Sequence, residues 1–250
     1  LLTLHGVVYA INPNGSIEWK FYCEGGGRGI TIGPDGTLYV AAHPGLYALN
    51  PDGTEKWRYQ EKYHTVWGEN WQQFLEPAIG PDETIYVVFP GYVTTADCGR
   101  GILHALNPDG TVKWKKGLSG YNMSAPSVGF DGTIYVAGTY LYAYDPSDGE
   151  MIWKSRIYGN EEAYYYTPST PIITPDGTIV AGVNHRRLFT SSPPEFFVAG
   201  FNTYDGERLW IFAPEEDNYG FRDPIVDAEG TVFIPWIMSS AATKELTRIY

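Results

Sequence analysis

The sequence predicts an all-β protein, a β-propeller of four-stranded antiparallel blades with about five to six blades represented, in a chain that can also be part of a larger ring. Three observations carry this. Aromatic residues make up 16% of the chain, with 29 Gly and 18 Pro against 18% charged residues, which describes short strands joined by tight turns. Apolar residues alternate with period two on both sides of recurring Pro/Asp/Gly corners, the pattern of antiparallel hairpins. Two hairpin phrases then alternate along the whole chain, giving four strands per repeat.

The first phrase ends in Trp. Its copies are VYAINPNGSIEWK, LYALNPDGTEKWRY, LHALNPDGTVKWK, LYAYDPSDGEMIWK and VAGFNTYDGERLW. The second appears as ITIGPDGTLYV, EPAIGPDETIYV, APSVGFDGTIYV, TPIITPDGTIV and DPIVDAEGTVFI. Pro presets φ for the first corner position, Gly takes the left-handed position that follows, and Asp bonds to backbone amides in the turn. The closing residues are Trp19, Trp57, Trp114, Trp153 and Trp210, at spacings of 38, 57, 39 and 57 residues. Double steps are near constant, so the unit of duplication is a pair of blades.

Taken in order, the chain is read as one domain over 1–250. It opens with strands C and D of a blade (1–21), continues through whole blades at about 28–59, 75–116, 124–155 and 169–212, and ends in a partial blade over 222–250. The terminal strands A and B can pair with the initial C and D to close a five-bladed ring. The even period favours six or eight blades in a larger parent ring instead. LTRIY at the end offers one further C strand.

AYDPSDGEMIW, residues 143–153, resembles the tryptophan-docking repeat A-x-D-x-x-x-G-x-x-x-W of the pyrroloquinoline-quinone-type (quinoprotein-like) β-propeller family. GFNTYDGERLW is similar, with Gly and Asn substituted, and the other three copies have a turn one residue shorter. The resemblance implies blades with strands A to D running from a central channel outward, each repeat Trp packing one blade on the next, and an extracellular, cell-surface or periplasmic location. Its enzymes hold calcium and the quinone with an adjacent-cysteine disulfide and a Glu/Asn/Asp set. This chain has no adjacent cysteines, so the repeats do not carry that activity over, and no cofactor is expected.

Several classes are disfavoured directly. A formal net charge of -12 without a long Lys/Arg cluster repels nucleic acid and anionic lipid. The apolar opening LLTLHGVVYAI is broken by His5 and Gly6 and is too short for a membrane span. Cys23 and Cys98 form no C-x-x-C pair, and both a single disulfide and two free thiols remain open. The Asp-Gly turns lack calcium-loop spacing. His104 lies on a repeat strand and reads as structural. Asn14-Gly15-Ser16 and Asn122-Met123-Ser124 are formal glycosylation sequons.

Strand order puts the A–B and C–D corners on one side of the disc and the B–C and D–A segments on the other. The second side varies in length and composition, as binding surfaces on rigid scaffolds do. Its D–A loops carry Trp67 and Trp71, then Tyr164, Tyr165 and Tyr166, then Tyr219; the long B–C insertion at 184–196 carries His185 and Arg186. At the channel end of strand A stand Arg28, Glu76, Arg222 and Asp223. Aromatic faces rimmed by polar groups suit polyhydroxylated ligands or protein partners. The expected function is a non-catalytic binding or assembly module, acting through protein partners, self-assembly by the terminal strands, or polysaccharide. The alternative is a quinone-dependent dehydrogenase-like enzyme.

Overall fold

The computed structural model describes residues 6–65, 68–71, 74–89, 101–118, 123–157, 164–187, 195–213, 218–238 and 247–249, all strand, turn or bend without a helix among them. The chain forms two compact units, residues 1–119 and 120–250.

In the first unit, Val7–Ile11 and Ile17–Tyr22 form a two-stranded hairpin, blade I. Blade II is a four-stranded antiparallel sheet of Gly27–Ile32, Leu38–Ala42, Gly45–Leu49 and Glu55–Tyr59. Blade III repeats it with Ala78–Ile79, Ile85–Phe89, Ile102–Leu106 and Val112–Gly117. The second unit holds blade IV (Ser127–Val128, Ile134–Ala137, Tyr140–Tyr144, Met151–Arg156) and blade V (Ile172–Ile173, Ile179–Arg187, Glu195–Phe201, Arg208–Phe212). Blade VI has Ile225–Val226, Val232–Ile234 and Thr247–Ile249. Thr247–Ile249 pairs with Val232–Ile234 and so fills the strand C position of that blade.

Strands B and C of the whole blades read as near-continuous buried runs, because each blade is covered on both faces. Alternate residues divide between neighbours. Tyr39 and Ala41 join Ile85, Val87 and Ile102 of blade III, while Val40 and Ala42 join Val8 and Trp19 of blade I. In the second unit Ala181 and Ala199 pack towards blade IV, and Val180 and Val198 towards Val232 and Ile234 of blade VI. The core is thus a set of layers between blades.

The C–D corner is built as its residues dictate. In blade II, Asn50 N–H donates to the Thr54 carbonyl (2.8 Å) and Gly53 N–H to the Asn50 carbonyl (2.9 Å), with Gly53 at φ +84°. Asp52 Oδ1 accepts from Thr54 N–H (2.9 Å) and from its hydroxyl (2.6 Å). The pairing register shifts between Ala48 and Leu49, a bulge repeated at the same place in blades I, III, IV and V.

This corner also receives the preceding blade. Trp57 Nε1 donates to the Pro108 carbonyl (2.8 Å), Trp19 Nε1 to that of Pro51 (2.9 Å), and Trp153 Nε1 to that of Thr203 (3.2 Å). Each ring lies on the left-handed glycine of the receiving turn. A Cβ on Gly53, Gly110 or Gly206 would sit 2.5, 2.7 or 2.4 Å from the Trp19, Trp57 or Trp153 ring. Glycine is therefore required there twice, for its φ and for the close approach. On their own blades Trp57 and Trp153 lean on strand B tyrosines, Tyr39–Trp57 and Tyr135–Trp153 both at 5.9 Å between centroids.

Trp57→Ala is expected to cost about 3 kcal/mol in urea unfolding. Gly110→Ala should destabilise too, and its cost should shrink by about 1 kcal/mol or more in the Trp57→Ala background, because the two share one contact. Additive costs would show that the joint does not couple them.

Candidate functional site

Several D–A segments contain strands where the sequence suggested loops. Tyr164–Pro168 is a strand that pairs antiparallel with the far end of Ile179–Arg187, setting Tyr164 opposite Arg187, Tyr165 opposite Arg186 and Tyr166 opposite His185. Residues expected on two separate loops are thus cross-strand neighbours. The same plan recurs in blade VI, where Asn218–Phe221 pairs with Trp236–Met238 and Tyr219 falls at a register shift. In the first unit the corresponding segment makes its own hairpin, Lys62–Thr65 with Gly68–Trp71, placing Trp71 opposite Lys62. Trp67 and Cys98 lie outside the described residues.

Why these segments pair follows from length. The B and C strands of blade V overrun the blade as an extended hairpin, Val183 opposite Phe197 through His185 opposite Glu195. The exposed backbone groups of that extension accept a further strand, and a Tyr/Thr run supplies it.

At the channel end of strand A, Arg28 and Glu76 are exposed, and the Glu76 side chain lies against Gly29 of the neighbouring blade. A Cβ at Gly29 would come within 2.6 Å of the Glu76 Cβ. One residue pair further along, Thr31 Oγ1 donates to the Pro77 carbonyl (2.6 Å). In the second unit Ser127, 96 positions after Thr31, donates its hydroxyl to the Pro171 carbonyl in the same way. Asp223 is exposed and its Oδ1 accepts the main-chain N–H of Thr170 (2.7 Å). Arg222 is exposed, and its N–H donates to the Pro235 carbonyl (3.0 Å). Asp223 and Glu76 therefore reach a neighbouring blade as well as facing solvent.

Sequence reasoning missed several of these ties. Ser124 and Ser169, each just upstream of a strand A proline, are buried and accept from Ala137 N–H (3.0 Å) and Gly182 N–H (2.9 Å), standing in for strand pairing. On the corner side, Lys56 bridges Asp35 Oδ2 (3.2 Å) and Thr37 Oγ1 (3.0 Å), and Lys113 bridges Asp82 (2.9 Å) and Thr84 (3.1 Å). The Lys residue before Trp57 and before Trp114 was the available signal. The Thr37 hydroxyl and N–H, with Lys56, hold the Asp35 carboxyl down to about 2.

His104 is fully buried, edge-on to Phe74 at 5.0 Å and to Tyr59 at 5.9 Å. Phe74, an aromatic of the D–A segment, is thereby core. Burial, helped by the Lys115 ammonium, pushes the imidazole down to about 3. Cys23 is buried, which raises its thiol to about 11, and it forms no disulfide among the described residues.

Among the described residues no three His, Cys, Asp or Glu side chains come together, Asp223 holds Thr170, and Glu76 lies on Gly29.

Comparison with known proteins fits this architecture. The family model described as outer membrane protein assembly factor BamB matches residues 4–66 and 99–235. No curated protein matches. Among solved structures, one of a protein of unknown function from Bacteroides caccae aligns with TM-score 0.60 at 13% identity over 93% of this chain and 80% of that one. BamB from Moraxella catarrhalis aligns with TM-score 0.57 at 18% identity over 99% and 83%. A streptogramin B lyase aligns with TM-score 0.57 at 12% identity over 90% and 68%.

Gly29→Ala should destabilise the fold by about 1–3 kcal/mol through overpacking against Glu76, read from the urea midpoint. The second expectation concerns acid. His104 has a folded pKa far below the unfolded value of about 6.5, so the unfolded chain binds the extra proton, and its contribution is complete above that pH and lost as pH falls towards 3. Asp35, depressed from 3.8 to about 2, contributes above 3.8 and loses its share below it. Between pH 6.5 and 4 the slope therefore belongs chiefly to His104. His104→Tyr, the residue at that place in blades II and IV, should flatten the fall in urea midpoint between pH 7 and 4.5; an unchanged slope would contradict the assignment.

Proposed function

The chain belongs to the family of pyrroloquinoline-quinone-type β-propellers whose model is described as outer membrane protein assembly factor BamB, and from that premise we propose that it is a non-catalytic module that binds extended protein segments outside the cytoplasm, at the periplasmic side of an outer membrane. The observation that carries this is the edge strand Tyr164–Pro168. Among the described residues it pairs on one side with Ile179–Arg187 and stands at the end of its five-stranded sheet, a place from which a strand can offer main-chain donors and acceptors to a partner. Such an edge recognises a peptide by strand addition, with main-chain bonds for affinity and alternate side chains for choice. The three consecutive tyrosines supply rigid, amphipathic contact area at low entropic cost. The formal charge of -12 favours neutral or basic partners.

Location rests on the family description. Among the described residues no helix is long and apolar enough to cross a membrane. The likeness to a lyase shows that the same architecture also carries an enzyme elsewhere. The polysaccharide reading keeps support from the aromatic composition of the D–A segments, whose sequence carries Trp67, Trp71 and Tyr219 besides the three tyrosines. It makes a distinct demand, namely binding that needs the rings and not the strand edge.

Fluorescence polarisation with a panel of labelled extended decapeptides of alternating aromatic and polar residues tests the proposal. Binding should fall at least tenfold when residues 164–166 are replaced by Gly-Ser-Gly, with Trp71→Ala leaving it within twofold. No peptide binding, or binding indifferent to the replacement, would remove the reading. A glycan-array signal lost in Trp71→Ala would install polysaccharide in its place. Dye reduction by alcohols with added quinone and calcium should stay at the level of the cofactor alone.

A further inference from the structure

In blades II and III the Asp/Thr pair of the A–B turn takes the ammonium of the blade's own strand D lysine. Lys56 Nζ lies 3.2 Å from Asp35 Oδ2 and 3.0 Å from Thr37 Oγ1, and Lys113 Nζ 2.9 and 3.1 Å from the same atoms of Asp82 and Thr84. Blade IV builds the same acceptor pair. Asp131 Oδ1 accepts from Thr133 N–H (3.0 Å) and Oδ2 from the Thr133 hydroxyl (2.9 Å). The lysine position, however, holds Ile152, which is 50% exposed. Blade V makes the same exchange, with Leu209 at 52% exposure and Asp176 bonded to Thr174 and Thr178. Both aliphatics stand on the strand D face opposite the repeat Trp. Among the described residues no Lys, Arg or His meets Asp131 or Asp176.

The surroundings of this exchange are apolar as well. Phe130 replaces the turn proline found as Pro34, Pro81 and Pro175, and it is 77% exposed. Because Trp153 Nε1 donates to the Thr203 carbonyl (3.2 Å), the tip carrying Tyr204, 89% exposed, lies beside strand D of blade IV. Asp145, Asp148 and Asp205 spend their carboxylates on main-chain amides of the neighbouring C–D turns, with a hydroxyl added at Asp145. Arg208, the adjoining cation, is turned to the Ile157 carbonyl (3.5 Å). Exposed aromatic and aliphatic side chains rimmed by carboxylates have the composition of an interface.

We propose that the corner side of blades IV and V docks a basic amphipathic segment of another protein. A lysine of that segment brings its ammonium to Asp131 and Thr133, the place that Lys56 and Lys113 fill from within their own blades, and its apolar side chains cover Phe130, Ile152 and Leu209. Charge decides the occupant: anionic lipid and a second copy of this chain are both repelled at a formal charge of -12, and a lysine-bearing segment is attracted. A lysine also suits the mixed surface, since its stem packs on an aliphatic side chain while its head reaches the carboxylate. This surface lies at the opposite end of the blade V strands from residues 164–168 and is independent of that edge.

Fluorescence polarisation of a labelled decapeptide alternating Lys and Leu, titrated with the full chain at physiological salt, tests it. The double variant Ile152→Lys/Leu209→Lys supplies the ammonium from within, as blades II and III do, and should bind about tenfold more weakly or worse. Phe130→Pro, which installs the residue of the other three turns, should weaken binding too. Ile32→Lys/Val112→Lys adds the same charge at exposed apolar positions of the first unit and should leave binding within about twofold, as should Gly-Ser-Gly at 164–166. A peptide alternating Lys and Ser should bind about tenfold less tightly than the Lys/Leu peptide. Failure of the Lys/Leu peptide to bind overturns the proposal, and so does equal binding of the Lys/Ser peptide. An equal loss in the two lysine pairs overturns it in favour of net charge alone, and a loss confined to the Gly-Ser-Gly variant assigns the peptide to the edge strand instead.

Discussion

The indole N–H of one blade reaching a main-chain carbonyl in the next blade's turn is the contact that orders everything else described. It fixes where each strand D must end, why the turn needs a left-handed glycine, and why a small residue, Ala10, Ala48, Ala105, Ala143 or Gly200, stands opposite each Trp across the C–D pair. Larger side chains there would lift the ring off its own blade and out of reach. The joint also satisfies the indole donor in a half-buried place, where an unmet N–H is costly. The hydrophobic layers between blades supply the bulk of cohesion, and the Trp joint sets their spacing.

The duplication by pairs has a physical trace. Thr31 and Ser127 each reach a proline carbonyl of the following strand A, while Ala78 and Ile172 at the same place in the alternate blades cannot. The halves have also diverged. In blades II and III a lysine ties the strand D edge to the A–B turn, whereas Ile152 and Leu209 take its place in blades IV and V and are half exposed. The second unit thereby exchanges a solvated ion-pair edge, of small energetic worth, for an apolar one.

Blades were legible in the sequence because everything that makes them is local: alternation, Pro-Asp-Gly corners and a Trp at fixed distance from each corner. The receiving role of the turn was not, since it joins residues 32 to 51 positions apart and leaves no local mark beyond a glycine already explained by its φ. The rim was read as loops for a similar reason. Tyr164–Pro168 becomes a strand by pairing with an overrun of strand B, and no pattern within YYYTP announces that partner. Individual candidates fared by chemistry: Tyr165 and Arg186 were brought opposite each other, while Asp223 was found holding a main-chain amide. His104, in a position that holds Tyr in three other blades, was recognisable as structural from the repeat alone.

Because the acceptor in each joint is a main-chain carbonyl, the residue that offers it is free to vary. Pro51, Pro108 and Thr203 serve alike, and a substitution there changes the side chain without touching the bond. Sequence drift at the receiving position is therefore nearly silent, while drift at the Trp or the glycine is not. A lineage built this way can lose most of its recognisable sequence and keep its blade spacing, with two residues per repeat bearing the memory of the fold.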